Sequence, residues 1–143
     1  MTLEQFTRET FDRQQAMKLI GAQLVSVEPG VVEIALPFSE AITQQHGFIH
    51  AGIITTALDS ACGYAAWTMM PKGAGVLTVE LKVSLLRPAA GERFRMRGEV
   101  IKPGRTLYFT EGRAFAVNGT QEKLIATITA TMMVMEGSNG VVG

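Results

Sequence analysis

Residues 49–70 read IHAGIITTALDSACGYAAWTMM, nearly all apolar or small, yet Asp59 stands in the middle and His50 near the start. The stretch lacks the alternation of a half-buried strand, and Pro71 with Gly73 supplies a stop, so residues 51 to 69 are expected to form one helix. That helix is apolar on most sides and has to be surrounded by protein. Its length invites a membrane reading. An aspartate near the centre of a span costs about 2.5–3.5 kcal/mol, and the hydroxyls and glycines dilute the hydrophobicity further, so a buried helix with no membrane partner is expected.

The flanking chain offers the cover. Residues 2 to about 20 suggest one amphipathic helix: Thr2 and Gln5 have capping-box spacing, Gly21 stands at the stop, and Leu3, Phe6, Met17 and Ile20 are its packing residues. AQLVSVE and VVEIALPF flank Pro29-Gly30 and read as a hairpin. Residues 39–49 break the periodicity and form a loop into the long helix. Beyond it, Leu77, Val79, Leu81, Val83 and Leu85 alternate with Thr78, Glu80, Lys82 and Ser84, so one face of that run is expected to be buried. Phe94, Met96 and Val100 oppose Arg93, Arg95 and Arg97, the latter read as a solvated face. Turns at Lys102-Pro103-Gly104 and Asn118-Gly119 complete an antiparallel meander. The tail, residues 137–143, is expected to fray. The whole reads as one α+β domain spanning residues 1–143, in which a sheet of five to six antiparallel strands wraps one central helix.

At 143 residues the chain has room for one core. Thirteen basic residues balance thirteen acidic ones, so the summed charge offers none of the phosphate attraction of a nucleic-acid binder. The single cysteine, Cys62, excludes an internal disulfide and reads as a small buried thiol rather than a nucleophile. The first residues lack the basic start and apolar stretch of a secretory signal, which makes the cytoplasm the expected location.

Asp59 carries the chemistry. An unpartnered buried carboxylate is costly, so it must be paired, protonated, or placed at a surface or cavity. For an arbitrary helical aspartate a solvent-facing edge is the commonest answer. Here Thr55, Thr56, Leu58, Cys62 and Gly63 offer neither a cation nor a charged face to join, which favours a carboxylate in a cleft. At the other end His50 precedes Ala51, whose N–H is one of the first-turn donors with no intrahelical partner. That N–H and the helix dipole could polarise a carbonyl oxygen, worth about 3 kcal/mol by analogy with single oxyanion-hole donors. A capping or packing role for His50 is the competing reading. His46 and His50 are four apart, but Gly47, the loop setting and the lack of a third ligand argue against a metal.

Ala51 and Asp59 are eight residues apart, which places their backbones about 12 Å apart along one helix. They cannot both reach one carbon from within one chain. Two antiparallel helices in a two-fold dimer would set Ala51 of one copy against Asp59 of the other. The small residues Ala57, Ala61, Gly63, Ala65 and Ala66 suit such an approach and equally suit a tight sheet around the helix.

QQHGFIHAGIITTALDSACGYAA, with VLTVELKVSLLRPAAGERFRMRGEVIKPGRTLYFTEGRAF after it, resembles the signature of hotdog-fold acyl-CoA thioesterases of the PaaI type, over roughly residues 20 to 135. The resemblance implies a hotdog fold, homodimers and often homotetramers, a site across the subunit interface, acyl-CoA as substrate, and no cofactor or metal, coenzyme A being part of the substrate. It implies that Asp59 is the catalytic base or nucleophile, that the Ala51 N–H polarises the thioester carbonyl, that His50 shapes that end of the site, and that Thr78 orients the water or the carboxylate. Gly52, Gly104, Arg105 and Thr106 fall where relatives contact substrate, with Arg105 the candidate for a coenzyme A phosphate. Two positions depart from the family pattern: Ala51 replaces a glycine, and Gln44 an asparagine. A hotdog protein that binds acyl-CoA without hydrolysing it is the alternative reading, and an acyl-thioester hydratase ranks last because its arrangement of His and carboxylate is absent from the sequence.

Overall fold

The structure, a computed structural model, describes residues 1–136. The tail expected to fray lies outside the described residues. Helix α1 (Leu3–Arg13) starts with the capping box that Thr2 and Gln5 announce: the Gln5 N–H donates to Thr2 Oγ1 and the Thr2 N–H to Gln5 Oε1. The expected single helix over residues 2 to 20 is divided at Gln14, whose extended backbone separates α1 from α2 (Gln15–Ile20). Gln14 takes its partners from the long helix instead: Nε2 donates to the Tyr64 hydroxyl and Oε1 accepts from the Ser60 hydroxyl. Gly21, at φ 78°, closes α2 in the left-handed conformation that favours glycine. Met17 and Ile20 are buried as expected, while Leu3 and Phe6 stay more open. Those two line a groove with Trp67 and Met70, and the Lys72 ammonium lies 5.3 Å from the centre of the Phe6 ring.

Strands β1 (Gln23–Glu28) and β2 (Val31–Pro37) form the first hairpin. A 3-10 turn at Glu40–Ile42 leads through the loop to α3 (Ala51–Trp67), followed by β3 (Gly75–Leu85), β4 (Arg93–Lys102), β5 (Leu107–Asn118) and β6 (Gln121–Met135). The six strands make one antiparallel sheet in the order β1-β2-β4-β5-β6-β3. It wraps α3, the hotdog arrangement expected. Ala57, Ala61, Ala65 and Ala66 are fully buried, so these small residues serve a tight sheet within the chain. The cross-strand glycines Gly98 and Gly112 take the same part from the sheet side, since a Cβ on Gly98 would lie 2.4 Å from the Ala61 carbonyl carbon. The β4 arginines behave as a solvated, ion-paired face: Arg95 bonds Glu33 and Glu122, and Arg97 reaches Glu99 at 3.3 Å.

Strand β3 departs from its alternation. A bulge between Thr78 and Glu80 slips the register, so Leu77 pairs beside Met133 on the outer face while Leu81 and Val83 pair beside Ala130 and Ile128, toward α3. Nor is the run fully buried: Leu77, Leu81 and Leu85 are 44, 43 and 56 % exposed, because β3 ends the sheet and α3 covers it only in part, chiefly at Val76 and Val83. Periodicity reports a face but not whether one chain covers it. Among the described residues, no helix is long and apolar enough to cross a membrane.

Candidate active site

Helix α3 begins where His50 leaves the loop in an extended conformation, its N–H bonded to the Ile42 carbonyl. The imidazole Nδ1 accepts the Gly52 N–H at 2.8 Å, so the capping role is one His50 performs. Among the described residues no acceptor meets the Ala51 N–H, which stays available at the positive end of a 17-residue helix. Gln44 turns the loop back on itself: Oε1 accepts from the backbone N–H groups of His46 and Phe48, and its own N–H bonds the Phe48 carbonyl at 2.8 Å. Its oxygen is thereby committed and its NH₂ remains a donor. Gln44 and Ala51 line one cavity of about 400 Å³ with Phe48, Leu85, Arg87 and Pro88. Arg87, whose guanidinium also donates to the Leu124 carbonyl at 2.6 Å, was not marked as a site residue by the sequence; its place beside a proline at the end of the β3 alternation was the available signal.

Asp59 lies two turns further along α3, half-buried, and does not line that cavity. The Thr78 hydroxyl donates to its Oδ1 at 2.7 Å, across from β3, so the structure brings together two residues nineteen positions apart. Loss of water around the carboxylate raises its pKa from the usual value, and the Thr78 hydrogen bond offsets part of that rise; among the described residues no cation contributes. The result is a carboxylate whose basicity is enhanced and whose orientation is fixed. Cys62, one turn on, is fully buried and its thiol is pushed up to about 12 by burial, which leaves it an inert packing group.

The remaining candidates lie apart from these. Gly104, Arg105 and Thr106 form the exposed β4–β5 turn near the far end of α3, where the Tyr108 hydroxyl on the same hairpin donates to the Met69 carbonyl. Within one chain that turn is at the opposite end of the helix from Ala51. The apolar residues flanking the two ends of α3 also divide. Phe48 and Ile49 line the Ala51 cavity, Trp67 and Met70 the groove beneath α1, and Met69 packs near Gly30. They split because the two groups sit at opposite ends of α3.

Comparison with known proteins gives this geometry its context. Residues 46–123 match the sequence profile of the family described as the thioesterase superfamily. Human acyl-coenzyme A thioesterase 13 is 32 % identical over 104 residues, 72 % of this chain and 72 % of that protein. The crystal structure of a thioesterase family protein from Silicibacter pomeroyi superposes with a TM-score of 0.92 at 51 % identity, covering 95 % of this chain and 100 % of that one. The Escherichia coli PaaI protein shares the fold, with a TM-score of 0.81 at 19 % identity over 92 % of this chain and 91 % of its own. The matched segment contains the helix with Asp59 and the strand with Thr78, and the chain belongs to the thioesterase superfamily as a hotdog-fold thioester hydrolase.

Proposed function

We propose that the protein hydrolyses acyl-CoA thioesters at a composite site formed by two copies of the chain, Asp59 coming from one and the Ala51 N–H from the other. The observation that carries this reading is the separation within one chain: an oriented, desolvated carboxylate at Asp59 and an unclaimed helix-end donor at Ala51, about 12 Å apart on one helix. An antiparallel pair of α3 helices closes that gap twice, once at each end. Support for a partner copy comes from β3, an uncovered edge strand whose exposed leucines flank Thr78.

In the bound state the thioester carbonyl oxygen accepts from Ala51 N–H, with the free amide of Gln44 as a second donor from the same cavity. Asp59 removes a proton from water as the water oxygen bonds to the carbonyl carbon, or attacks that carbon itself to give an anhydride that water then opens. Negative charge passes to the oxygen held by the helix end. The C–S bond breaks, the acid is released, and the coenzyme A thiolate takes up the proton. Gly52, beside Ala51, leaves the helix entrance narrow, and the partner's turn at Gly104, Arg105 and Thr106 comes to that entrance in the antiparallel pair, where Arg105 meets a coenzyme A phosphate.

Thiol release from a panel of aryl and medium-chain acyl-CoAs tests the reading. Turnover by the wild type with loss of most of it in Asp59→Asn is expected. Intact thioesters after long incubation, despite a raised melting temperature, would instead indicate binding without hydrolysis, and full activity in the variant would remove Asp59 from the mechanism.

A further inference from the structure

Met132 stands on the inner face of β6, fully buried, and pairs directly beside Thr78 across the β3–β6 ladder. Its sulfur lies 3.3 Å from Thr78 Oγ1, within reach of the same hydroxyl that donates to Asp59 Oδ1 at 2.7 Å. A hydroxyl carries one hydrogen and so has one strong hydrogen bond to give. An ionised carboxylate takes that bond ahead of a thioether, which is a weak acceptor. The preference holds only while Asp59 is charged. A neutral carboxyl accepts poorly and, with its proton on Oδ1, donates toward Thr78 itself, which the hydroxyl allows only by turning its own hydrogen elsewhere. Among the described residues the Met132 sulfur is the acceptor in that direction.

We propose that Met132 is a positioning residue for the hydrolysis: the Thr78 hydrogen points to Asp59 while the carboxylate is charged and to the Met132 sulfur once Asp59 has taken a proton. The inference rests on the reading of Asp59 as the group that removes a proton from water, and it adds the partner that lets Thr78 follow the change. Without the sulfur the protonated state loses a hydrogen bond, and the charged state keeps the hydroxyl to itself. Both effects favour the charged form, so an apolar side chain at position 132 makes the carboxyl easier to ionise and a weaker base. Few other groups titrate around α3. Cys62 is a neutral thiol held up at about 12, Tyr64 accepts from Gln14, and Tyr108 on β5 donates to the Met69 carbonyl at the far end of the helix. On β3, Glu80 and Lys82 pair beside Thr131 and Thr129 on the outer face. In the composite site His50 of the second copy stands beside Ala51, and it is the same in every variant below.

Titration of the Asp59 carboxyl by carbon-13 NMR on the full chain tests the proposal, the signal being assigned by its loss in Asp59→Asn. Met132→Leu keeps volume and apolarity and is expected to fold. Its Asp59 midpoint is expected about 0.3–0.5 pH unit below the wild type's, the size of one weak hydrogen bond. In a Thr78→Val background there is no hydroxyl to turn, so adding Met132→Leu is expected to leave the midpoint where Thr78→Val puts it. A midpoint unmoved in Met132→Leu, or moved equally with and without the Thr78 hydroxyl, overturns the proposal. The acidic limb of kcat/KM is expected to follow the carboxyl to lower pH in Met132→Leu. A carboxyl that moves while the limb stays supports the turning hydroxyl and overturns instead the reading of Asp59 as the base.

Discussion

The Thr78 hydroxyl donates to Asp59 Oδ1 at 2.7 Å, and this hydrogen bond lowers the pKa of a carboxylate otherwise raised by its loss of water. Thr78→Val keeps the strand preference and the shape but removes the donor. The carboxylate then becomes harder to ionise. The acidic limb of kcat/KM against pH is expected to move to higher pH, with a fall in kcat of about tenfold from the lost orientation. Thr78→Ser, which keeps the hydroxyl, should restore both. An unmoved acidic limb in Thr78→Val would detach this bond from catalysis.

The same burial bears on stability. A group whose folded-state pKa lies above its unfolded value contributes stability that is fully present below the unfolded pKa and is lost as pH rises through the folded pKa. Asp59 is such a group, raised by burial, so at neutral pH its charged form is a net cost to the fold. Asp59→Asn avoids that cost and still accepts from Thr78. Its melting temperature is expected to exceed the wild type's by a few degrees at pH 7, with the difference shrinking to nothing as pH falls below the ordinary carboxylate range. Melting curves of both proteins at several pH values check the sign, and a less stable variant at pH 7 would contradict it.

What could be read from residues alone divides by whether a feature is local. The capping box at Thr2 and Gln5, the stop at Gly21 and the helix start at Ala51 depend on neighbouring residues and stood in the sequence. The break at Gln14 did not, since its cause is a pair of side chains, Ser60 and Tyr64, over forty positions away. The β3 alternation named a face correctly only for part of its length, because a single extra residue at the bulge turns Leu77 to the other side. Asp59 could be singled out because a carboxylate is improbable in such a run, and the resemblance pointed to Thr78. The cavity that joins Gln44, Ala51 and Arg87 required the fold.

The seam between α3 and the sheet gives a graded test of packing. On Gly98 a new Cβ would meet backbone atoms of Ala61 and Cys62 at 2.4 to 2.6 Å, and backbone cannot step aside without moving the helix. On Gly112, across the strand pair, its two shortest contacts would be Ile128 Cγ2 at 2.7 Å and Cys62 Sγ at 3.0 Å, side-chain atoms with some freedom to shift, with the Arg97 carbonyl oxygen further off at 3.2 Å. Gly98→Ala is expected to cost about 3 kcal/mol or more, and Gly112→Ala about 1–2 kcal/mol. Urea unfolding of the two variants measures the order. Equal losses would show that the helix and sheet adjust as one body.

Ala51 allows its backbone donor to be removed with little else changed. Proline is at home in the first turn of a helix, where its missing N–H has no intrahelical partner, and the residue before it must be extended. His50 already is, at φ −58° and ψ 134°. Ala51→Pro is therefore expected to fold with wild-type helix content while losing roughly 100- to 1000-fold in kcat, the cost of one oxyanion donor. Coexpression with Asp59→Asn under different tags then separates two arrangements. A hybrid pair joins the intact Ala51 of one chain to the intact Asp59 of the other at one of its two sites, and should recover about half the wild-type activity. If both residues served one site within a single chain, neither chain of the hybrid would hold a complete set and its activity would stay at the level of the single variants.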